Sequence, residues 1–199
     1  MRRLTRDEAA DALAAGEVVA VPTDTVYGLA ARLDRPEAIA AVFALKRRPG
    51  SVALPVLVAH PEDLGPLGVT LGPLGERLAE RYWPGALTLV VSAPEQIAAR
   101  VHARTGTLGV RVPADPTVRA LLERTGPLAV TSANEHGEPP CTSAEDVLAV
   151  FAGRDGLAGV LDGGTREAAV SSVVEVTGPV AVVVREGALS AAAIADALG

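Results

Sequence analysis

Short apolar runs alternate with longer amphipathic stretches along the chain, and the two patterns predict different elements. Runs that are apolar at nearly every position, yet too short for most helices, predict strands buried on both faces of a sheet. These runs are EVVAVP (17–22), LPVLVA (54–59), ALTLVVS (86–92), TLGVRVP (107–113), PLAVTSA (127–133), AGVLDGG (158–164), SSVVEVT (171–177) and VAVVVRE (180–186).

Helices are predicted between the strands by apolar stripes and by capping residues. Thr5 and Glu8 form a capping box before a helix that Gly16 ends. Asp115 precedes Pro116, which is favoured at the first position of a helix. Thr142 or Ser143 caps a helix over 143–153. Further helices are predicted at 36–47, 73–82 and 188–199, and a loop at 60–72.

The alternation predicts an α/β fold, a single domain over 1–199 with a twisted mixed sheet flanked by helices. Successive strands near the C-terminus indicate that part of this sheet is antiparallel. Hydrophobic residues make up 49% of the chain and aromatic residues 3%, so the core is expected to consist of Ala, Val and Leu. A chain of 199 residues fits one domain.

Composition also argues against several classes of protein. The apolar runs are far shorter than the roughly 20 residues that span a bilayer, so no membrane association and a soluble, cytoplasmic protein are expected. The single cysteine, Cys141, excludes an internal disulfide and a cysteine-rich zinc site. The net charge of −6 argues against a broadly basic nucleic-acid-binding surface.

Polar residues gather where the predicted strands and one helix end. PTDTVYG follows the first run, KRRPG follows the helix at 36–47, and TSAN follows PLAV. Ligands of α/β sheets usually lie beyond strand ends. Lys46, Arg48, Arg111 and Arg185 supply cations, so these residues predict a cleft for an anionic ligand. The chain has neither a Walker motif nor GxGxxG.

Each signal also has a purely structural interpretation, which the residues alone leave open. Lys46 is the only lysine among the 18 Lys and Arg residues, but a basic residue at a helix end also complements the helix dipole. Arg111 could be an ion-pair partner, PTDT a turn and TSAN a cap. Asp24 as a general base is weakly supported. His60, His102 and His136 are expected on the surface or in loops.

The ordered motifs resemble the YrdC-like family of threonylcarbamoyl-AMP synthases. They are PTDTVYGLA, LKRRP, YWPGALTLVV, GVRVP, TSANEHGEP, DGG and SSVVEVT followed by VVVREG, and they cover roughly 17–187. The resemblance implies an α/β sheet with a deep concave cleft. It also implies a nucleotidyltransferase that makes threonylcarbamoyl-AMP and pyrophosphate from L-threonine, bicarbonate and ATP, with Mg²⁺ on the ATP phosphates.

The same resemblance implies partners. The product supplies N6-threonylcarbamoyladenosine in tRNA through a separate transfer complex, with at most weak tRNA contact by this chain. Two other hypotheses are a non-catalytic RNA-binding module and carbamoyl-adenylate chemistry on another acceptor.

The resemblance assigns a role to each residue that matches a motif position of the family. The catalytic set implied by the resemblance is Lys46, Arg48, Ser132 and Asn134, which also bind ATP together with Thr107, Cys141 and Arg185. The implied threonine-binding set is Thr25, Arg111, Thr131 and Ser171; no metal ligand is implied. Lys46 is expected to be an exposed cleft lysine that faces phosphate and contributes little to stability.

The sequence departs from the family pattern at three places. His136 and Cys141 stand where Ser and a small polar residue are common, Ser171-Ser172 is a mild change, and the third departure follows the K-x-R loop. Family members often carry Pro-Leu and then His after the K-x-R loop, whereas Ala53, Leu54 and Leu57 stand here. His60 follows three residues later. Whether Leu57 or His60 replaces that threonine-side histidine is left open by the sequence.

Overall fold

The computed structural model of the protein describes residues 1–47, 53–103, 106–167 and 169–199. Its strands are β1 (Arg2–Leu4), β2 (Val18–Val21), β3 (Gly28–Arg32), β4 (Val56–Leu57), β5 (Leu87–Ser92), β6 (Thr107–Arg111), β7 (Leu128–Ser132), β8 (Leu157–Leu161), β9 (Ser172–Glu175) and β10 (Val182–Arg185). Its helices are α1 (Arg6–Ala14), α2 (Pro36–Lys46), α3 (Gly72–Tyr82), α4 (Glu95–Arg100), α5 (Pro116–Thr125), α6 (Ala144–Val150) and α7 (Ala191–Leu198), with a 3₁₀ helix at Pro61–Leu67.

The strands form one mixed sheet in the order β1-β8-β2-β3-β7-β4-β6-β5-β9-β10. Strand β8 pairs in parallel with β1 and β2, and β5 pairs in parallel with β9. Strand β3 is antiparallel to both β2 and β7. The C-terminal strands β9 and β10 are antiparallel. The predicted mixed α/β sheet is therefore confirmed.

The half of the sheet around β2 is covered on both faces, which explains its unbroken apolar run. Successive side chains of a strand point to opposite faces. In β2, Val18 and Ala20 pack with one core cluster, which also contains Ile39 of α2. Val19 and Val21 pack with the other cluster, which contains residues of α1 and α5.

The half of the sheet around β5 is covered by helices on one face, as far as the described residues show. Leu87 and Leu89 of β5 and Val174 of β9 are buried in the first core cluster, which also contains Leu78 of α3 and Ile194 of α7. Tyr82 Oη donates to the carbonyl oxygen of Ala193 at 2.6 Å and so links these two helices. The alternate side chains of β5 and β9 point to the opposite face, which is open.

The predicted caps are present. Thr5 and Glu8 form the capping box of α1. Asp115 accepts hydrogen bonds from the amides of Thr117 and Val118 at the start of α5. Of the two candidates for α6, Ser143 is the cap.

Several boundaries differ from the prediction. The run 54–59 is a strand only at Val56–Leu57. Pro55 has no amide donor, which is consistent with a strand that begins after it. The predicted loop at 60–72 contains the 3₁₀ helix Pro61–Leu67. Strands β1 and β3 and helix α4 were not predicted. Strand β3 reads GLAAR, a sequence without β-branched residues, and it forms because β2 and β7 bond it from both sides.

Candidate active site

A cavity of about 530 Å³ lies on the open face of the sheet. Strand β6 contributes Thr107, Gly109 and Arg111 to its lining, which are alternate residues on one face of the strand. Thr88 and Val90 of β5 line the cavity by the same alternation. Alternate side chains of these strands thus point to opposite faces. One set packs in the core, and the other set is available to a ligand.

Arg111, the last residue of β6, is held on three sides. Its Nε donates to the carbonyl oxygen of Gly85 at 2.8 Å, its Nη1 to Thr25 Oγ1 at 3.2 Å and its Nη2 to Asp24 Oδ1 at 2.7 Å. Its side chain is 6% exposed. Burial lowers the pKa of the Arg111 guanidinium, and the Asp24 carboxylate opposes that change. The ion pair considered from the sequence is present, and it fixes the plane of the guanidinium.

Arg185 brings a second guanidinium to the cavity. Its Nη2 donates to the carbonyl oxygen of Ser171 at 2.8 Å and to Ser171 Oγ at 3.2 Å. Ser171 Oγ and Thr88 Oγ1 lie 3.0 Å apart. Burial lowers the pKa of Arg185, and the charge of Arg185 contributes to lowering the pKa of Arg111. Two like charges in one concave space favour an anionic occupant.

The PTDT segment is a hydrogen-bonded turn that also reaches the cavity. Thr23 Oγ1 donates to the carbonyl oxygen of Val26 at 2.7 Å and accepts from the amide of Thr25 at 3.2 Å. Thr23 and Thr25 both line the cavity. The turn interpretation is therefore correct and is compatible with ligand contact.

Lys46 joins the end of α2 to the TSAN segment. Its Nζ donates to the carbonyl oxygen of Ser132 at 2.5 Å, to that of Asn134 at 2.9 Å and to Asn134 Oδ1 at 2.7 Å. Ser132 Oγ donates to the same Asn134 Oδ1 at 2.7 Å. Lys46 is 1% exposed. The expectation that Lys46 is an exposed lysine is wrong, because carbonyl and amide oxygens of the TSAN segment enclose its ammonium.

The structure brings most of the predicted site residues to one cavity. Those that line it are Thr25, Thr107, Arg111, Thr131, Ser132, Ser171 and Arg185. Lys46 and Asn134 lie beside Ser132 but outside the described lining. Arg48 lies outside the described residues. Cys141 is 4% exposed and packs in the core, where burial raises the pKa of its thiol to about 11.

The cavity wall also holds residues at the position where the sequence departs from the family pattern. Ala53, Leu54 and Leu57 line the cavity. His60 lies apart from them, and its Nε2 is 3.4 Å from Glu123 Oε1.

Sequence reasoning missed other lining residues. His102 is an exposed turn residue, as predicted, yet it lines the cavity and its ring centroid lies 4.4 Å from that of Phe43. Thr88 and Tyr27 also line the cavity. The alternation within ALTLVVS could have placed Thr88 on the open face, whereas nothing local identifies His102.

The described side chains indicate whether the protein itself could hold a metal ion. Among the described residues, no group of at least three His, Cys, Asp or Glu side chains is placed to hold a metal ion. These residues therefore do not form a protein cage for Mg²⁺, an ion that commonly remains on substrate phosphates and water. In the part of the chain that is described, no helix is long and apolar enough to cross a membrane.

Comparison with known proteins supports the motif-based resemblance. The profile of the Sua5/YciO/YrdC family, described as "Telomere recombination", matches residues 11–187. The threonylcarbamoyl-AMP synthase of Bacillus subtilis is 36% identical over 96% of this chain, which spans 56% of that relative. A Mycobacterium tuberculosis relative is also 36% identical over 96% of this chain, which spans 88% of it.

A solved structure agrees with these matches. Pyrococcus abyssi Sua5 complexed with L-threonine superposes with a TM-score of 0.90 and 33% identity, over 100% of this chain and 59% of that one. The chain thus spans little more than half of some relatives and most of another. From the family profile and the related sequences together, the chain belongs to the Sua5/YciO/YrdC family.

Proposed function

We propose that the chain is an L-threonylcarbamoyladenylate synthase, which forms threonylcarbamoyl-AMP and pyrophosphate from L-threonine, bicarbonate and ATP. One observation carries the proposal. Residues that the family resemblance assigns to threonine and to the nucleotide, from Thr25 to Arg185 along the chain, line one cavity. Its volume of about 530 Å³ lies in the range of small-molecule sites. Related proteins that are described as threonylcarbamoyl-AMP synthases add further support for this activity.

At the threonine end, Arg111 binds the carboxylate of the substrate. A guanidinium has five N–H donors, and Arg111 donates once from each of its three nitrogens, to Gly85, Thr25 and Asp24. One N–H group therefore remains on each terminal nitrogen. A planar fork can hold both oxygens of a carboxylate. Thr25, Thr131 and Ser171 supply hydroxyl groups around the rest of the amino acid. The P. abyssi relative was solved with L-threonine, which supports this choice of substrate.

At the nucleotide end, Thr107, Ser132 and Arg185 contact ATP from the cavity wall. Lys46, Asn134 and Cys141 lie behind this wall. Arg48, which lies outside the described residues, is assigned to ATP by the family resemblance. Lys46 reaches phosphate in this proposal by exchanging one of its carbonyl acceptors for a phosphate oxygen. Mg²⁺ accompanies ATP and neutralises phosphate charge.

The chemistry consists of two bond-forming steps. The neutral amine of threonine adds to CO₂, which bicarbonate releases with loss of hydroxide, and the adduct loses a proton to give a carbamate. A carbamate oxygen then attacks the α-phosphorus, the bond to the β-phosphate oxygen breaks, and pyrophosphate leaves. Arg111 orients the amino acid, and Arg185 balances charge that develops on the phosphate. The chain thereby contributes alignment and electrostatic stabilisation.

The product has a defined use in this proposal. Threonylcarbamoyl-AMP is an activated mixed anhydride, so a separate tRNA threonylcarbamoyl-transfer complex must accept it and pass the threonylcarbamoyl group to an adenosine. Direct contact between this chain and tRNA is weak, as expected for a net charge of −6.

Pyrophosphate release tests the proposal. The purified chain is incubated with ATP, Mg²⁺ and bicarbonate, with and without L-threonine, and with L-serine as the control amino acid. Release that requires both threonine and bicarbonate is expected. Release without threonine dependence would instead favour another carbamoyl acceptor, and RNA binding without any release would favour the RNA-binding module.

A further inference from the structure

The turn that carries Ser132 and Asn134 is held against α2 by contacts on two sides. On the inner side, Lys46 Nζ binds oxygens of this turn. The backbone continues the connection, because the amide of His136 donates to the carbonyl oxygen of Lys46 at 2.9 Å. The geometry of the predicted ATP-handling residues therefore depends on how these two segments lie against each other.

On the outer side, Glu135 and Arg154 complete the connection. Arg154 Nη1 donates to the carbonyl oxygen of Leu45, in the last turn of α2, at 3.0 Å, while its Nη2 binds Glu135 Oε1. The second carboxylate oxygen of Glu135 lies 3.4 Å from Arg47 Nη1. One guanidinium thus bridges the end of the helix and the turn.

The pair is partly buried and placed by the core. The side chains of Arg154 and Glu135 are 23% and 30% exposed. The guanidinium carbon of Arg154 lies 5.5 Å from the centre of the Phe151 ring, which is fully buried. Glu135 also follows Asn134 directly, and Asn134 Nδ2 donates to the Glu135 carbonyl oxygen at 2.8 Å. Movement of Glu135 would consequently move the amide group that Lys46 and Ser132 share.

We propose that Glu135 and Arg154 are positioning residues for the ATP end of the site, holding the end of α2 and the 132–138 turn at the spacing that Lys46, Ser132 and Asn134 require. The inference rests on the proposed function. Neither residue touches substrate in this role. The threonine-side residues Arg111 and Ser171 lie on or beside β6 and β9, and Thr131 is held in β7 by its pairing with Leu29 of β3. These residues are therefore fixed by the sheet, so the two substrates should respond differently.

Steady-state kinetics of Glu135→Gln and Arg154→Gln test the pair. Each variant is expected to raise KM for ATP by about tenfold, since small displacements of positioning groups are costly, and to change KM for threonine by less than about twofold. Arg154→Lys should resemble Arg154→Gln, because a single ammonium cannot bridge Leu45 and Glu135 as a fork does. In the double variant Glu135→Gln/Arg154→Gln the two losses should add to less than their sum, because each substitution breaks the same connection.

Glu138→Gln is the matched control, since Glu138 is exposed in the same turn and its substitution removes the same charge. It should leave both KM values unchanged. Equal increases in both KM values, or an effect of Glu138→Gln as large as that of Glu135→Gln, would overturn the proposal. A fall in Tm with unchanged KM values would assign the pair a purely structural role and would overturn it as well.

Hydrogen exchange separates failure of this inference from failure of the proposed function. Glu135→Gln should accelerate exchange of the His136 amide about tenfold through local opening, while the Gly85 amide, which donates to Val112, keeps its protection. This result requires no turnover. Unchanged protection at His136 would refute the positioning role even in an inactive protein, whereas faster exchange in a protein that releases no pyrophosphate would refute only the enzyme assignment.

Discussion

Lys46 shows why a chain that otherwise uses arginine retains one lysine. Its ammonium has three N–H donors, and three oxygens from Ser132 and Asn134 lie within 2.9 Å of Nζ. A guanidinium is broader and planar, and it would not fit the same space. Steric demand within the TSAN segment thus accounts for lysine at this position, whether or not the ammonium also meets a phosphate.

Replacement of Lys46 is therefore expected to destabilise the fold. Lys46→Ala should lower the free energy of unfolding by about 3 kcal/mol, because buried oxygens lose a charged donor. Lys46→Arg should not restore it. Chemical denaturation measures both variants against Arg47→Ala, whose side chain is 74% exposed and whose loss should cost under about 1 kcal/mol. Equal stability of Lys46→Ala and Arg47→Ala would contradict this assignment.

In the proposed function, Arg111 has both a structural and a substrate-binding role. Arg111→Ala should lower stability by about 3 kcal/mol, since Asp24 loses its partner in a place where its side chain is 17% exposed. It should also raise KM for threonine much more than KM for ATP. Asp24→Asn separates the two roles, because it weakens the structural ion pair but keeps the Arg111 guanidinium that would bind the carboxylate. If Arg111→Ala raised both KM values equally, Arg111 would not bind the carboxylate.

The sequence motifs predicted which residues gather at one cavity better than they predicted the environment of each residue. Arg111 and Ser171 line the cavity as the motifs implied. Burial of Lys46 was not predictable, because it depends on oxygens of residues 132 and 134 that only the folded sheet brings to α2. His102 was missed for the same reason. Spacing reveals which side chains share a face, whereas desolvation depends on contacts between distant segments.

At the scale of elements, β3 illustrates how tertiary context decides structure. Its GLAAR sequence gives little indication of a strand, yet every residue from Gly28 to Arg32 is paired with β7. The β-branched strand β2 was predicted within one residue at each end, and β9 and β10 were predicted within two residues. The small residues of β3 instead reflect the limited space beside β7. The pattern of a single sequence does not show how much space the neighbouring strand leaves.

Gly28 offers a direct test of that limited space. A Cβ at Gly28 would lie 2.5 Å from Val130 Cγ1 and 3.2 Å from the carbonyl oxygen of Thr131. Gly28→Ala should therefore lower the free energy of unfolding by about 2 kcal/mol through overpacking. Gly178→Ala is the control, because a Cβ there meets no atom within 4 Å. Thermal or urea unfolding that found the two variants equally stable would show that β3 and β7 can move apart.

At the scale of the whole molecule, a single sheet serves two purposes. Around β2 it is covered on both faces and provides the core, whereas around β5 it is covered on one face and provides the cavity. The chain has a net charge of −6, but Arg185 and the Arg111 guanidinium, which is paired with Asp24, bring positive charge to the cavity. This separation explains how an acidic protein can still contain a cavity that is suited to an anionic ligand.

Stability of the whole fold should decrease in alkaline solution. Burial raises the pKa of Cys141 from 9.0 to about 11 and also raises the pKa of Tyr27. Between pH 9 and pH 11 the folded chain then holds a Cys141 proton that the unfolded chain has lost, so folding weakens as pH rises. Urea unfolding across this range measures the slope, and Cys141→Ala should make it shallower. An unchanged slope would exclude Cys141 as its source.

The burial of Lys46 has a practical consequence for labelling this protein. It is the only lysine in the sequence, and it is 1% exposed. An amine-directed reagent thus finds no exposed lysine on the native fold, while the unfolded chain presents one. Acylation of Lys46 would consequently report the opening of the segment around Ser132 and Asn134, so that a single ε-amino group could serve as a built-in chemical probe of the site.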